Sequence, residues 1–248
     1  MTRAAPGPHP IDAPGTEESA WAAWSRLDAF PEAFPDARPG GLASAVIVAA
    51  HPDDEVLGVG GLISVLAESG ARLRLVAVTD GEGSHRGHGD PAALARRRIA
   101  ETAAALEALG AGTAEVVRLG FPDSGLAGHE DLLMAALAEL ADGFDVCLAP
   151  WDGDLHPDHE AVGRAARQAC SRVVSYPIWM WHWAAPGDHR VPWERAVRVP
   201  LPPRAVSGKR AAISCFASQL EDRAPGLGPV LPPPMTAHFT RESEVLLR

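Results

Sequence analysis

Apolar runs alternate with segments of helical spacing along most of the chain. Runs rich in β-branched residues predict buried strands, at 46–50, 72–79, 114–119, 145–149 and 173–176. Between them, apolar residues recur at helical spacing and predict helices, at 57–69, 91–109, 131–140 and 157–169. Regular strand–helix alternation is typical of right-handed crossovers between parallel strands. The pattern therefore predicts an α/β fold, a Rossmann-like three-layer sandwich with a mostly parallel central sheet.

The pattern changes after the fifth predicted strand. Trp179, Trp181 and Trp183 recur at a spacing of two, which indicates one side of an extended segment. Such a stripe is more often core, although it can also stack on a sugar or on an apolar aglycone. Further apolar runs predict a strand at 196–201, a helix at 203–220 and a final edge strand at 244–247.

The first forty residues differ in composition from the rest. Residues 1–15 are rich in Pro, Ala and Gly and predict a loosely attached arm. Thr16 is a candidate N-cap, and Trp21 and Trp24 lie at helical spacing, so a short helix is expected next. We therefore divide the chain into an N-terminal arm with a short helix, 1–40, and a single domain, 41–248.

Length and charge restrict the possible partners. The chain has 248 residues, is 46% hydrophobic, and carries a formal charge of −10 with a pI near 5.4. An acidic chain argues against nucleic acid and against an anionic membrane surface, which both need clustered Lys and Arg. A small-molecule substrate is the better expectation. Self-association into a homo-oligomer remains open.

The cysteines and the lack of targeting segments indicate a cytoplasmic protein. Cys147, Cys170 and Cys215 are scattered in apolar surroundings, without disulfide or metal-binding spacing, so reduced thiols are expected. The sequence contains no basic-then-apolar leader and no apolar run approaching the ~18–20 residues of a membrane span.

Two polar clusters each follow a predicted buried strand. The first is His51-Pro52-Asp53-Asp54-Glu55, and the second is His156-Pro157-Asp158-His159. Carboxylates packed this densely at a strand end repel one another unless a cation or a proton offsets their charge. Open α/β sheets bind ligands at the carboxyl ends of their strands. We therefore expect the two clusters to form the halves of one metal site.

The residue types indicate a catalytic zinc site. His51, Asp54 and His159 provide two imidazoles and one carboxylate, which leaves a coordination position open for water. Asp53 is then free to act as a general base, and His156 could donate a proton or a hydrogen bond to the substrate. Iron or another divalent ion can also occupy such ligands.

A rival hypothesis is a dinucleotide- or S-adenosylmethionine-binding module. Gly58, Gly60 and Gly61, with Asp80 after the second strand, resemble a nucleotide-binding fingerprint. A phosphate loop, however, needs its glycines directly after the strand, where residues 51–55 stand here. Close packing of a helix on a strand explains the glycines more simply.

The two clusters together resemble the LmbE-like/PIG-L de-N-acetylase family. The resemblance rests on Ala50 to Glu55, on the following Gly58-Val59-Gly60-Gly61, and on the His156 cluster, and it extends to Ala217-Ser218-Gln219. It implies a zinc-dependent hydrolase that removes acetyl from N-acetylglucosamine-type conjugates, as in secondary-metabolite or thiol-cofactor biosynthesis.

The resemblance also implies residue roles. His51, Asp54 and His159 would be the metal ligands and Asp53 the base, with His156 stabilising the oxyanion or acting as acid. Asp158 would orient His156. Roles in holding sugar hydroxyls would fall to Arg98 and Asp123, although a surface helix charge and a turn-capping carboxylate are equally open for these two. The sequence departs from the family at Leu155, where relatives often have Gly. Loops 80–89 and 184–193 are candidates for a lid.

Overall fold

The computed structural model describes residues 10–34 and 41–248. Within these residues a seven-stranded sheet has the order β3-β2-β1-β4-β5-β7-β6. The strands are β1 Ser44–Ala49, β2 Arg72–Ala77, β3 Glu115–Arg118, β4 Val146–Pro150, β5 Val173–Tyr176, β6 Ala196–Pro200 and β7 Ser243–Leu247. Strands β1 to β5 pair in parallel, whereas β7 runs antiparallel to both β5 and β6. The expected α/β fold with a mostly parallel central sheet is confirmed.

Helices cover both faces of this sheet. They are α1 Glu18–Ala22, α2 Arg26–Ala29, α3 Asp54–Glu68, α4 Pro91–Ala108, α5 Glu130–Leu140, α6 Pro157–Ala169, α7 Met180–Trp183, α8 Pro203–Ser214, α9 Ala217–Leu220 and α10 Pro233–Ala237. In the described part of the chain, no helix is both long and apolar enough to cross a bilayer.

Strand β1 contributes alternate side chains to two hydrophobic cores. The larger core contains Ala45, Ile47 and Ala49, which pack with residues of α3, α4 and α8. Val46 and Val48 pack in the smaller core, with residues of α5 and α6. A strand that is apolar on both faces must lie inside the sheet, as the continuous run of apolar residues predicts.

The strand order determines where the two polar clusters meet. Strand β1 lies between β2 and β4, and it is parallel to both. The chain therefore leaves β1 and β4 at the same edge of the sheet, where it enters α3 and α6. In an open α/β sheet, a ligand crevice forms at the point where the strand order reverses.

The glycines of α3 serve close packing. A Cβ on Gly58 would lie 2.2 Å from the ring of Tyr176, and one on Gly61 would lie 2.3 Å from Leu201. Helix α3 is also kinked at Val59. Just after the kink, the Glu244 carboxylate accepts a hydrogen bond from the backbone N–H of Gly61 at 2.7 Å. These contacts favour the packing explanation over the phosphate-loop hypothesis.

Four local predictions were wrong. The strand predicted at 244–247 is β7, which pairs with both β5 and β6 and is therefore not an edge strand. Residues 180–183 form helix α7 instead of an extended stripe, so Trp181 is buried whereas Trp179 and Trp183 are half-buried. Thr16 is no N-cap, because its hydroxyl donates to the Ala184 carbonyl at 2.6 Å. The predicted helix 203–220 is divided into α8 and α9.

The N-terminal arm is attached where it is described. The Ala13 carbonyl lies 2.9 Å from the Nε2 atom of His182, and the Thr16 backbone N–H donates to the His182 carbonyl. Trp21, on α1, is fully buried. Residues 1–9 of the predicted arm, and the boundary proposed at residue 40, lie outside the described residues.

Candidate metal centre and active site

Asp54 lies between the two candidate histidine ligands. It is the first residue of α3, and its Oδ1 atom is 3.2 Å from Nε2 of His159. Its Oδ2 atom is 3.6 Å from Nδ1 of His51. Two ligand atoms that each lie ~2.0–2.2 Å from one tetrahedral ion are about 3.3–3.6 Å apart. Asp54 therefore lies at a distance that suits shared metal ligation with each of the two histidines, through a different oxygen for each.

Each of these histidines also contacts a second carboxylate through its other ring nitrogen. Nε2 of His51 is 3.1 Å from Oδ2 of Asp158, and Nδ1 of His159 is 2.7 Å from Oδ2 of Asp154. Such outer carboxylates accept the N–H of a metal-binding imidazole, which fixes its tautomer and orientation. The nitrogens that face Asp54 can then give up their protons to a metal ion that they bind.

The position of Asp158 corrects one prediction. Its carboxylate contacts His51 and accepts backbone hydrogen bonds from Ser124 and Leu126, at 2.7 and 3.2 Å. It does not hydrogen-bond to His156. The first turn of α6 directs the Asp158 side chain toward the loop after β3, which the adjacency of the two residues in sequence could not reveal.

Asp154 is the functional residue that the sequence analysis missed. It is fully buried, and it accepts hydrogen bonds from the backbone N–H groups of Ile178, Trp179 and Met180, at 3.1, 2.9 and 2.8 Å, in addition to its contact with His159. The Asp154 carboxylate therefore links His159, a candidate metal ligand, to the start of α7. An Asp in the loop just before the second cluster was the available signal.

The centre attracts positive charge. Burial opposes protonation of His159, but Asp54 and Asp154 outweigh it and raise its pKa to about 9. Burial likewise opposes protonation of His51, yet hydrogen bonds to Asp123, Asp158 and Asp54 raise its pKa well above the ordinary value. A divalent cation at this position would replace those protons and offset the same carboxylates.

Asp53 has the environment of a general base. Burial raises its pKa to about 7, although the charge of Arg98 opposes this rise. Its φ of 102° lies in the left-handed region, where a side chain other than glycine is strained, as often happens at functional sites. Arg98 is only 2% exposed, and it donates to Oδ2 of Asp53 at 3.1 Å and to the Gly81 carbonyl at 2.8 Å. It is therefore not a surface charge.

His156 has a free nitrogen and stacks on an aromatic wall. Burial and the charges of His159 and His51 lower the pKa of His156 to about 3, so the ring is neutral. Its Nδ1 atom is buried without a hydrogen-bond partner. Its ring is stacked 6.4 Å from that of Trp179. Leu155, just before it, has φ 62°, a conformation that favours glycine.

Asp123 reaches the centre from the loop after β3. Its Oδ2 atom accepts a hydrogen bond from the Gly83 N–H at 2.8 Å, and its Oδ1 atom is 3.4 Å from Nε2 of His51. Burial opposes ionisation of Asp123, but hydrogen bonding and charge from His51 lower its pKa. Asp123 thus joins the 80–89 loop to the centre.

Two other combinations of donors in the described part of the chain also lie close enough together to hold one ion. The donor atoms of His51, His156 and His159 lie within 4.8 Å of one another, as do those of His51, Asp123 and Asp158. In the second of these sets, Nε2 of His51 lies 3.1 Å from Asp158 and 3.4 Å from Asp123, so spacing alone does not separate it from the set with Asp54. The choice of the set with Asp54 rests on the two polar clusters of the sequence.

A cavity of about 600 Å³ opens over the centre. Its wall includes all the predicted site residues except Asp158, and it adds residues that the sequence analysis did not single out: Leu57, Ser84, Arg86, Ile178, Arg223, Leu227, Val230 and Leu231. This volume is within the ~300–1,000 Å³ of small-molecule sites. Residues of the 80–89 loop line the cavity. The other candidate lid, loop 184–193, is described by the structure and contributes no residue to the cavity wall.

The sequence profile described as "PIG-L: GlcNAc-PI de-N-acetylase" matches residues 46–170, which is half of the chain and includes both polar clusters. Among curated relatives, the chain is 29% identical over 207 residues to a 1D-myo-inositol 2-acetamido-2-deoxy-alpha-D-glucopyranoside deacetylase of Corynebacterium efficiens, covering 72% of this chain and 67% of that protein. It is 32% identical over 157 residues to a protein of the same description from Kineococcus radiotolerans, covering 50% of this chain and 44% of that protein.

Solved structures share the fold. The conserved protein TT1542 from Thermus thermophilus is 29% identical, with a TM-score of 0.55, and the match covers 72% of this chain and 80% of that one. The chain spans about half to two thirds of the length of the curated relatives above. Since the family profile covers half of the chain and both halves of the centre, this chain belongs to the PIG-L family.

Proposed function

We propose that the chain is a zinc-dependent N-deacetylase that removes acetyl from an N-acetylglucosamine-type small-molecule conjugate. The observation that carries this proposal is the pair of imidazoles that converge on Asp54, each held by an outer carboxylate, beside the buried base Asp53. His51, Asp54 and His159 would hold the ion. The named activity of the curated relatives supports the choice of substrate.

The residues present fit a divalent metal. The ligand spacings, the outer carboxylates and the excess of buried acid all favour a cation, and the nitrogen-rich donor set suits zinc. When bound, the ion supplies Lewis-acid polarisation of the acetyl carbonyl and lowers the pKa of water. Everything else in the reaction falls to side chains of this chain.

Asp53 takes the proton of the attacking water. Its pKa of about 7 suits a group that must accept a proton and later give it up near neutral pH. Arg98 fixes the Asp53 carboxylate through their contact at 3.1 Å. The proton that Asp53 has taken can then be returned to the departing amine.

His156 stabilises the oxyanion of the tetrahedral intermediate. It stands beside His51 and His159, with ring centroids 5.0 and 4.6 Å away. A neutral imidazole can donate one N–H to developing negative charge. Trp179, stacked on His156, gives an apolar side to the place where the sugar ring would lie.

The direct test is deacetylation of a panel of N-acetylglucosaminides. Protein loaded with zinc, protein stripped with a chelator, and His159→Ala protein are incubated with each substrate, and loss of acetyl is followed by mass spectrometry. The proposal predicts loss of acetyl from at least one substrate with the zinc-loaded protein alone. Equal acetyl loss with the stripped protein would contradict the metal-dependent mechanism.

A further inference from the structure

Two arginines on the cavity wall lack an acidic partner. Arg86 lies in the 80–89 loop and Arg223 in the loop after α9, and both line the cavity. Among residues 10–34 and 41–248, no carboxylate lies within 4.0 Å of either guanidinium. The nearby Arg97 and Arg98, in contrast, pair with Glu221 and Asp53. In a chain of net charge −10, two uncompensated cations in one cavity require an explanation.

Arg223 is held in place by its own turn. Its backbone N–H donates to the Leu227 carbonyl at 3.1 Å, and the Leu227 N–H donates to the Ala224 carbonyl at 2.9 Å. The side-chain Nε atom donates to the Gly228 carbonyl at 2.9 Å. Anchoring at Nε leaves the two terminal nitrogens to bind a ligand, and a guanidinium uses such a pair for carboxylates and phosphates.

The two arginines lie at the solvent side of the cavity. Arg86 is exposed and Arg223 is half-buried, whereas Asp53, Asp54 and His159 at the candidate metal centre are buried. Burial and the charges of Arg98, Arg223 and Arg97 all lower the pKa of His85, which places Arg223 in a basic environment. The cavity is thus acidic at its buried end and basic toward solvent.

We infer that the conjugate on which this chain acts carries an anionic group, a carboxylate or a phosphate, on its aglycone, and that Arg86 and Arg223 bind this group. The inference rests on the proposed function, because it assumes that the acetamide lies at the metal centre. The aglycone of such a substrate must then extend toward solvent. An anion placed at the buried end would be repelled by its carboxylates, whereas at the outer end it meets the two arginines.

The test compares substrates that differ in aglycone charge. The zinc-loaded protein is assayed on three derivatives of N-acetylglucosamine. The methyl glycoside is neutral, whereas the glycoside of a 2-hydroxydicarboxylic acid and N-acetylglucosamine 1-phosphate are anionic. We expect kcat/KM to be at least about tenfold higher for one of the two anionic substrates than for the neutral one. The better of the two distinguishes a carboxylate from a phosphate.

Charge-removing variants identify the binding groups. Arg86→Gln and Arg223→Gln should each reduce the ratio of kcat/KM for the anionic substrate to that for the neutral substrate by about tenfold. Arg96→Gln is the matched control, because Arg96 is exposed on α4 and does not line the cavity. It should leave the ratio unchanged. An equal ratio in all four proteins would overturn the inference.

Binding separates this inference from the proposed function. The affinity of zinc-loaded Asp53→Asn protein for each substrate is measured by calorimetry, with and without Arg223→Gln. If no substrate loses acetyl, the proposed function fails, yet weaker binding of the anionic substrate in the Arg223→Gln variant would still support the anion site. If acetyl is lost but Arg223→Gln weakens neutral and anionic substrates alike, only the inference fails.

Discussion

Asp154→Asn tests whether one buried carboxylate supports both the metal centre and the aromatic wall. Oδ2 of Asp154 accepts from Nδ1 of His159 and from the Trp179 N–H, and Oδ1 accepts from the Ile178 and Met180 N–H groups. Asparagine has the same size but only one accepting oxygen. Whichever way its amide is turned, two donors face an NH₂ group and lose their acceptor.

The magnitude follows from these two lost contacts. A hydrogen bond to a charged group contributes about 1.5–3 kcal/mol, so the free energy of unfolding of the metal-free protein should fall by at least about 3 kcal/mol. Loss of an outer carboxylate from a metal-binding histidine typically costs about 10- to 100-fold in metal affinity or activity. Zinc affinity should therefore fall by that factor.

Urea unfolding of metal-free protein and competition titration with a zinc chelator measure the two effects. Asp152→Asn is the matched control, because Asp152 lies in the same loop but is half-exposed and only 3.4 Å from Arg167. An exposed pair of this kind contributes about 1 kcal/mol or less. If Asp154→Asn kept both the urea midpoint and the zinc affinity of the unaltered protein, the reasoning about Asp154 would be refuted.

Three further variants test separate parts of the account. Asp53→Asn should retain zinc but reduce turnover by about 10²–10⁴, the contribution of a general base, as measured by acetyl release and metal analysis. Gly58→Ala should lower the free energy of unfolding by about 1–3 kcal/mol in urea, because its Cβ would overlap the ring of Tyr176 at 2.2 Å. Burial opposes ionisation of Glu18, but its hydrogen bonds to Arg241 and His238 lower its pKa. These contacts therefore stabilise the fold when the pH is above the ordinary glutamate pKa, and the stabilisation is lost as the pH falls below it. Glu18→Gln should therefore flatten the loss of urea stability on acidification below about pH 4 and leave its slope between neutral pH and about pH 5 unchanged.

For each of these variants, one result would contradict the prediction. Near-normal turnover of Asp53→Asn would remove its assigned role. Gly128 has no atom within 4 Å of a built Cβ, so Gly128→Ala is the control for Gly58→Ala, and equal stabilities would refute the packing argument. If Glu18→Gln and the unaltered protein lost stability in parallel on acidification, the Glu18 contact would not contribute.

The parallel part of the fold was predictable because strand and helix patterns are local. The apolar run into His51 and the apolar run before the His156 cluster are read directly from neighbouring residues. Parallel strands then bring their carboxyl ends to one edge, whatever the details of packing. Hence the meeting of His51, Asp54 and His159 followed from topology alone.

The supporting residues could not be predicted in this way because tertiary contacts determine their roles. Asp154 acts on a helix 24 to 26 residues further along, and nothing in its neighbours indicates that contact. Spacing of two predicted an extended segment at residues 178–183, but the Asp154 carboxylate accepts hydrogen bonds from the backbone N–H groups that begin α7, and these favour a helical turn. Likewise, Arg98 has the sequence context of a surface helix and becomes buried through its contacts with Asp53 and Gly81.

Anomalous X-ray diffraction from crystals of the zinc-loaded protein tests the central claim most directly. The account predicts one zinc peak, ~2.0–2.2 Å from a ring nitrogen of His51, a carboxylate oxygen of Asp54 and a ring nitrogen of His159. It also predicts that Asp53 does not bind the ion. A peak held by His51 with Asp123 and Asp158, or no peak between the two polar clusters, would contradict the account.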